Sequence, residues 1–345
     1  MKIVYSDKHK LHNPELELSP GFFEPYHETP DRARFIYEAV RERGVGPFVE
    51  PSAFSMDAFL RVHDRGYLKF LETGWDEWQK TGFEKDVFAY AFNVQHPGSP
   101  VPETIGGKVG YYTADGCVPL TRTSWEAIRV SAFTALTGHK FMAEGDSAVF
   151  ALCRPPGHHA TSSVAAGYCF INNAALAAQA FIDSGAKRVA VLDVDYHHGN
   201  GTQDIFYNRN DVLFVSLHAD PAFDYPYYRG YAAEKGAGQG EGFTVNYPLP
   251  LKTAYDTYGE ALADAIETIR HKGAEALVVS LGVDAYKEDP ISRFLLESED
   301  FLRLGSAIGA LGVPTLFVME GGYAVEQVGV NVANALAGFL DSFRR

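Results

Sequence analysis

Five short apolar runs organise the second half of the chain, and each stops at a cluster of polar residues. Residues 147–152, 189–195, 212–218, 276–284 and 315–320 show no polar alternation, the pattern of strands buried on both faces. Helical patterns separate them. One runs over 174–184, opened by Asn172-Asn173 and stopped by Gly185. Another covers 254–272 and stops at Gly273, and a third follows Ser298 and ends at Gly312-Val313-Pro314. Strand and helix in alternation predict an α/β fold, a parallel sheet with helices on both faces. Upstream, helices are expected over 31–43 and 56–73. A further helix is expected to start at the capping box Thr123-Ser124-Trp125-Glu126 and to reach about Ala143.

Residues 74–122 break the pattern. They are rich in aromatics, Gly and Pro with weak periodicity, which predicts an inserted binding loop, lid or interface rather than disorder. No repeat, low-complexity linker or like-charge run divides the chain, so residues 1–345 read as one continuous domain. With 345 residues and 46 % hydrophobic content, one large core can form. The start, Met1-Lys2-Ile3-Val4-Tyr5-Ser6-Asp7, is too polar for a secretory segment, and no spanning apolar stretch follows. The odd set Cys117, Cys153 and Cys169 forms no disulfide framework, so a cytoplasmic location is expected. A net charge of −14 disfavours nucleic acid and anionic membrane as partners and favours a cationic substrate.

The candidate chemistry lies where the apolar runs end. The first leads into Arg154-Pro155-Pro156-Gly157-His158-His159. The second carries Asp193, Asp195, His197 and His198, and the third ends at His218-Ala219-Asp220. The fourth ends at Asp284, and the fifth at Glu320-Gly321-Gly322-Tyr323. Ligands of open α/β sheets bind outside the carboxyl ends of the strands, so these groups should share one rim. Asp193, Asp195 and His197, spaced by two, fall on one face of an extended segment. Asp195 and His197 with Asp284 would give three oxygen and nitrogen ligands and leave a position for water, as catalytic metal sites do. His158 and His159 suit proton transfer beside such a water, and Asp193 suits orienting an imidazole. Tyr323 could donate to a developing oxyanion. Gly167-Tyr168, ahead of a helix cap, could supply an aromatic wall.

Arg154–His159, Gly167-Tyr-Cys-Phe-Ile-Asn-Asn173, Asp193-Val-Asp-Tyr-His-His-Gly-Asn-Gly201, Ser280-Leu-Gly-Val-Asp284 and Glu320-Gly-Gly-Tyr323 together resemble the histone-deacetylase superfamily. Their order and spacing match across nearly the whole chain, most like its bacterial acetylpolyamine amidohydrolase branch. The resemblance implies an arginase/deacetylase fold with one Zn²⁺ on Asp195, His197 and Asp284. It implies His158 paired with Asp193, His159 as main general base and acid, and Tyr323 polarising the acetyl carbonyl. It places Tyr168 and Tyr225 beside the substrate stem, the Gly167 carbonyl at its amide N–H, and Arg32 behind the site. A structural K⁺ would lie at Asp193, Asp195, His197, Ser216 and Leu217. The oxygen-rich ligand set would also accept Fe²⁺ or Co²⁺.

Two positions depart from the pattern. Asn200 stands where histone-directed members usually carry Asp; an amide orients His159 without favouring its cation as strongly, which suits a base. In the insert, two positions that are acidic in polyamine-directed relatives read Gly106 and Cys117, leaving Glu103 and Asp115 as acidic candidates for the distal ammonium. The expected activity is therefore removal of acetyl from an acetylated polyamine or short diamine, with acetyl-lysine in proteins as the alternative. An arginase-like dinuclear Mn²⁺ hydrolase and a non-catalytic acetyl binder are further readings. A homodimer is expected through the 74–122 segment, whose aromatics Trp75, Trp78, Phe83, Phe88, Tyr90 and Phe92 would be buried against the partner.

Overall fold

The computed structural model describes residues 1–19, 21–93 and 99–343. Its strands are β1 Lys2–Val4, β2 Leu16–Leu18, β3 Phe23–Pro25, β4 Phe48–Val49, β5 Ala148–Ala151, β6 Val189–Asp193, β7 Val212–Ala219, β8 Thr244–Leu249, β9 Ala276–Leu281 and β10 Thr315–Met319. Eight of them form one sheet in the order β4-β1-β5-β10-β9-β6-β7-β8, with every neighbouring pair parallel. β2 and β3 make a separate antiparallel hairpin. The helices are α1 Pro30–Glu42, α2 Met56–Phe59, α3 Arg65–Gln79, α4 Ile105–Tyr112, α5 Ser124–Ala143, α6 Asn173–Asp183, α7 Asn200–Phe206, α8 Tyr255–Lys272, α9 Ser298–Gly309 and α10 Val325–Ser342.

The alternation of side chains along each strand builds two cores. Ala190 and Leu192 of β6 join Leu213 and Val215 of β7 and the apolar faces of α1, α8, α9 and α10. Val189 and Val191 join Val212, Phe214 and the small residues of α6 on the opposite face. The α/β expectation therefore holds, with the polar ends of the apolar runs lying just beyond the strands. No helix among the described residues is long and apolar enough to cross a membrane.

Four expectations change. The helix foreseen over 56–73 is two helices, because His63 turns inward and its Nε2 accepts the Asn172 N–H at 3.0 Å, while Asp64 begins α3. The capping box at Thr123 does not form: its hydroxyl donates to the Leu11 carbonyl at 2.5 Å, tying α5 to the N-terminal segment. The 74–122 segment is not irregular throughout. It completes α3, contains α4, and packs Val87, Ala89, Val109, Val118 and Leu120 into a third core with α3 and α5; residues 94–98 lie outside the described residues. Its aromatics are partly used within the chain. Trp75 and Trp78 pack on that core, Phe83 stacks on Trp78 at 5.1 Å, and Phe88 meets Phe23 edge-on at 5.1 Å.

Candidate active site

The four central strands β5, β10, β9 and β6 are consecutive neighbours in the sheet, so the loops leaving their carboxyl ends meet. These loops carry His158-His159, Glu320–Tyr323, Asp284 and Asp193–Asn200. Residues distant in sequence thus become adjacent through strand order alone.

Asp195, His197 and Asp284 are all buried, with one ligand atom from each within 4.8 Å of the others. His197 Nδ1 lies 2.9 Å from Asp284 Oδ2 and 3.4 Å from Asp195 Oδ1. Burial and the neighbouring Asp195 push the Asp284 carboxyl up to about 8. Burial alone would raise Asp195 too, but His158 and His197 outweigh it and hold that carboxyl below its ordinary value. Two buried carboxylates and an imidazole nitrogen crowd one point at the inner end of a cavity, and a divalent cation would relieve the conflict. The backbone leaves room for this: a Cβ on Gly282 would fall 2.0 Å from Asp195 Oδ2, and one on Gly321 would fall 2.5 Å from the same atom. The donor set fits one divalent cation.

Beside these ligands, the His158 and His159 ring centroids are 3.9 Å apart. His158 Nδ1 donates to Asp193 Oδ2 at 3.0 Å. His159 Nδ1 faces Asn200 Oδ1 at 2.7 Å. An amide oxygen there calls for a proton on Nδ1, which leaves Nε2 as the acceptor. Burial, with His158 and His197 nearby, holds His159 well below the ordinary histidine value and hence neutral. Glu320, a residue not assigned a role from the sequence, accepts the N–H groups of Gly157 at 2.6 Å and His158 at 3.1 Å. It fixes the turn that presents both imidazoles, and burial pushes its carboxyl up to about 7.

Tyr323 faces the same space. Its ring lies 5.4 Å from Tyr168 and 4.7 Å from the Arg32 guanidinium. Arg32 reaches in from α1. Its Nη2 donates to the Glu320 carbonyl at 2.6 Å, its Nε to the Gly322 carbonyl at 2.5 Å, and its Nη1 to Glu28 Oε1 at 2.6 Å. Arg154 Nε donates to the same Glu28 oxygen at 2.9 Å. Arg32 and Arg154 are almost wholly buried and Glu28 entirely so, one carboxylate between two cations.

A cavity of about 350 Å³ opens onto these groups. His159, His197, Gly167, Tyr168, Tyr225 and Tyr323 surround its inner part. Tyr225 stands edge-on to His159 at 4.9 Å and 89°. The two acids expected in the outer part fare differently. Glu103, two residues ahead of α4, is exposed to solvent and does not line the cavity. Asp115 does line it but is not free. Its carboxylate accepts from Gly167 N at 2.9 Å, Tyr225 OH at 2.8 Å and Cys117 N at 2.9 Å, so it braces the wall. The remaining acids on the lining include Glu17 and Glu24, which sequence reasoning missed. They pair directly across the β2–β3 hairpin and so share a face, an arrangement that costs stability for like charges. The alternation Leu16-Glu17-Leu18 followed by Pro20-Gly21 was the available signal for that hairpin. The residues foreseen for K⁺ are also brought together: Asp193 is in register with Ser216, and Leu217 follows it, all buried.

The histone deacetylase domain family matches residues 26–339. Acetylpolyamine amidohydrolase 2 of Pseudomonas aeruginosa is 52 % identical over 98 % of both chains. Acetylpolyamine amidohydrolase of Mycoplana ramosa is 49 % identical over 98 % of this chain and 99 % of its own. Among solved structures, acetylpolyamine aminohydrolase from Burkholderia pseudomallei superposes over the full length of both chains with a TM-score of 0.95 at 38 % identity.

The buried Arg32–Glu28–Arg154 triad generates a stability prediction. Glu28→Ala leaves two buried guanidinium groups without their shared carboxylate and should destabilise the protein by about 3–5 kcal/mol. Urea unfolding of variant and wild type measures this, and equal midpoints would show that the carbonyl acceptors alone satisfy both arginines.

Proposed function

Given that the chain belongs to the histone deacetylase family, we propose that it hydrolyses the acetyl group from a small cationic acetylated amine, a diamine or polyamine, releasing acetate and the free amine. The observation that carries this reading is the meeting of Asp195, His197, Asp284, His159 and Tyr323 at the inner end of one acid-lined cavity. The relatives' names support the acetylpolyamine class. The roles below are our assignments, and they treat residues 1–345 as one catalytic domain.

Asp195, His197 and Asp284 would hold a divalent cation, Zn²⁺ on our reading, with Fe²⁺ or Co²⁺ compatible with the same donors. When bound, such a cation polarises a carbonyl and lowers the pKa of a water. His159 Nε2 takes the proton from the attacking water, and Asn200 keeps that imidazole in the required tautomer. Tyr323 donates its hydroxyl hydrogen bond to the acetyl oxygen as negative charge develops there. Protonated histidine then gives its proton to the departing nitrogen. Asp193 holds His158 through Nδ1. Tyr168 and Tyr225 flank the stem of the substrate, and the Gly167 carbonyl accepts from its amide N–H. Asp193, Asp195, His197, Ser216 and Leu217 would take up K⁺ as a structural ion.

The outer cavity suits a second positive charge. Glu17 is engaged with the Tyr168 hydroxyl at 2.8 Å and with His27. Glu24, its cross-strand neighbour, is only half-buried and also lines the cavity. An ammonium between the two would remove the like-charge conflict. In the 74–122 segment, Phe83, Tyr90, Phe92 and Val101 remain exposed. We propose that this face joins two copies of the chain and narrows the mouth. With its cysteines free, the chain suits a reducing cytoplasm.

Three experiments test this reading. Acetylated diamines and longer acetylated polyamines should be turned over faster than acetyl-lysine peptides; faster peptide turnover would reverse the substrate assignment. Tyr323→Phe and His159→Ala should each keep the metal yet lose much of kcat. For the phenol the loss should be about 10²–10³-fold, corresponding to about 2.7–4 kcal/mol. Near-wild-type turnover by either variant would remove the role given to it. Light scattering should give twice the chain mass, and replacing the exposed Phe83, Tyr90 and Phe92 by Ser should halve it; a monomeric mass for the unaltered chain would rule the dimer out.

A further inference from the structure

The turn that carries Tyr323 is held at every residue by a buried charge. Arg32 takes the carbonyls of Glu320 and Gly322, and Asp195 Oδ2 accepts the Gly321 N–H at 2.8 Å. The last two amides belong to Asp289, whose Oδ2 accepts Tyr323 N at 2.6 Å and Ala324 N at 3.2 Å. Its Oδ1 accepts Ile291 N at 3.2 Å, and Ile291 also lines the cavity. Asp289 is 6 % exposed. Three backbone donors converge on its side chain, and none of the sequence motifs includes it.

We propose that Asp289 is a positioning residue for Tyr323, fixing the phenol's place relative to the reacting carbonyl. This rests on the amidohydrolase reading above. A carboxylate holding the amide at the base of a side chain restrains that residue's backbone, and a phenol is a useful donor only within a few tenths of an ångström of its target. Arg32 pulls on the carbonyl side of the turn and Asp289 on the amide side, so the tyrosine is held from both directions. Gly322, at φ +130°, lets the chain turn sharply between those two grips. Asp289 itself is not part of the cavity lining. Its effect passes through one hydroxyl, so it should affect the rate rather than the affinity.

A double-mutant cycle tests the proposal. Asp289→Ala should lower kcat roughly tenfold or more on an acetylated diamine, with KM within about twofold of wild type. In a Tyr323→Phe background the same substitution should cost less than about twofold, because the hydroxyl it positions is already gone. Asp289→Asn keeps one oxygen acceptor for the Tyr323 amide and should recover part of the lost rate. It also supplies the cycle if the alanine variant fails to fold. Metal content, measured in every variant, should stay at the wild-type level. An equal loss in both backgrounds would overturn the proposal, as would an unchanged kcat, a change in KM alone or a loss of metal. A wild-type protein with no rate on any acetylated amine would instead overturn the functional reading, and this inference with it.

Discussion

Asp195 and Asp284 leave the ends of adjacent strands and bring two buried carboxylates together around His197, which faces the cavity. Charges of one sign placed this way repel in a low-dielectric interior, and the one imidazole within reach of both carboxylates, His197, is itself a candidate ligand. The local backbone is shaped to keep them there. Gly282 and Gly321 give up side chains so that Asp195 can sit between their strands, and the N–H groups of His197 and Gly321 donate to its two oxygens. A divalent cation would add attraction to both carboxylates at once, which favours its uptake at this point.

The surroundings follow from that centre. Once the ion site is fixed at the strand ends, the acid–base pair and the phenol have to be placed around it with comparable precision. The protein does so with buried charge on backbone groups rather than with packing alone: Glu320 under the two histidines, and Arg32 behind the tyrosine turn. Glu28 makes this possible by compensating two arginines that could not otherwise be buried. The catalytic side chains therefore sit on a rigid polar frame, and α1, far from them in sequence, becomes part of the site.

The central strands were legible because doubly buried strands read as unbroken apolar runs, and their polar ends named most of the inner site. The edges were not. β4 has two residues, and β8 is interrupted by Pro248, which an edge strand tolerates but which hides it from pattern reading. The helix break at His63 and the failed cap at Thr123 depend on partners more than a hundred residues away in sequence, so local propensity could not reveal them. The same holds for the outer cavity. Charge and position in the insert point to Glu103 and Asp115, whereas the hairpin of Glu17 and Glu24 is brought there by tertiary packing. Asp289 sits in a loop of no special composition, and only its three amide partners reveal what it does.

The order of strands also has a bearing on how the molecule is made. β9 and β10 lie between β6 and β5, yet they are the last strands to be synthesised. In the finished sheet these two strands alone join β4-β1-β5 to β6-β7-β8. Closure requires placing the final strands between those two groups, a long-range step of the kind that slows folding and exposes edges to aggregation. A nascent chain halted short of β9 carries Asp195 and His197 without Asp284, so the ion site is completed only when that strand pairs with β6.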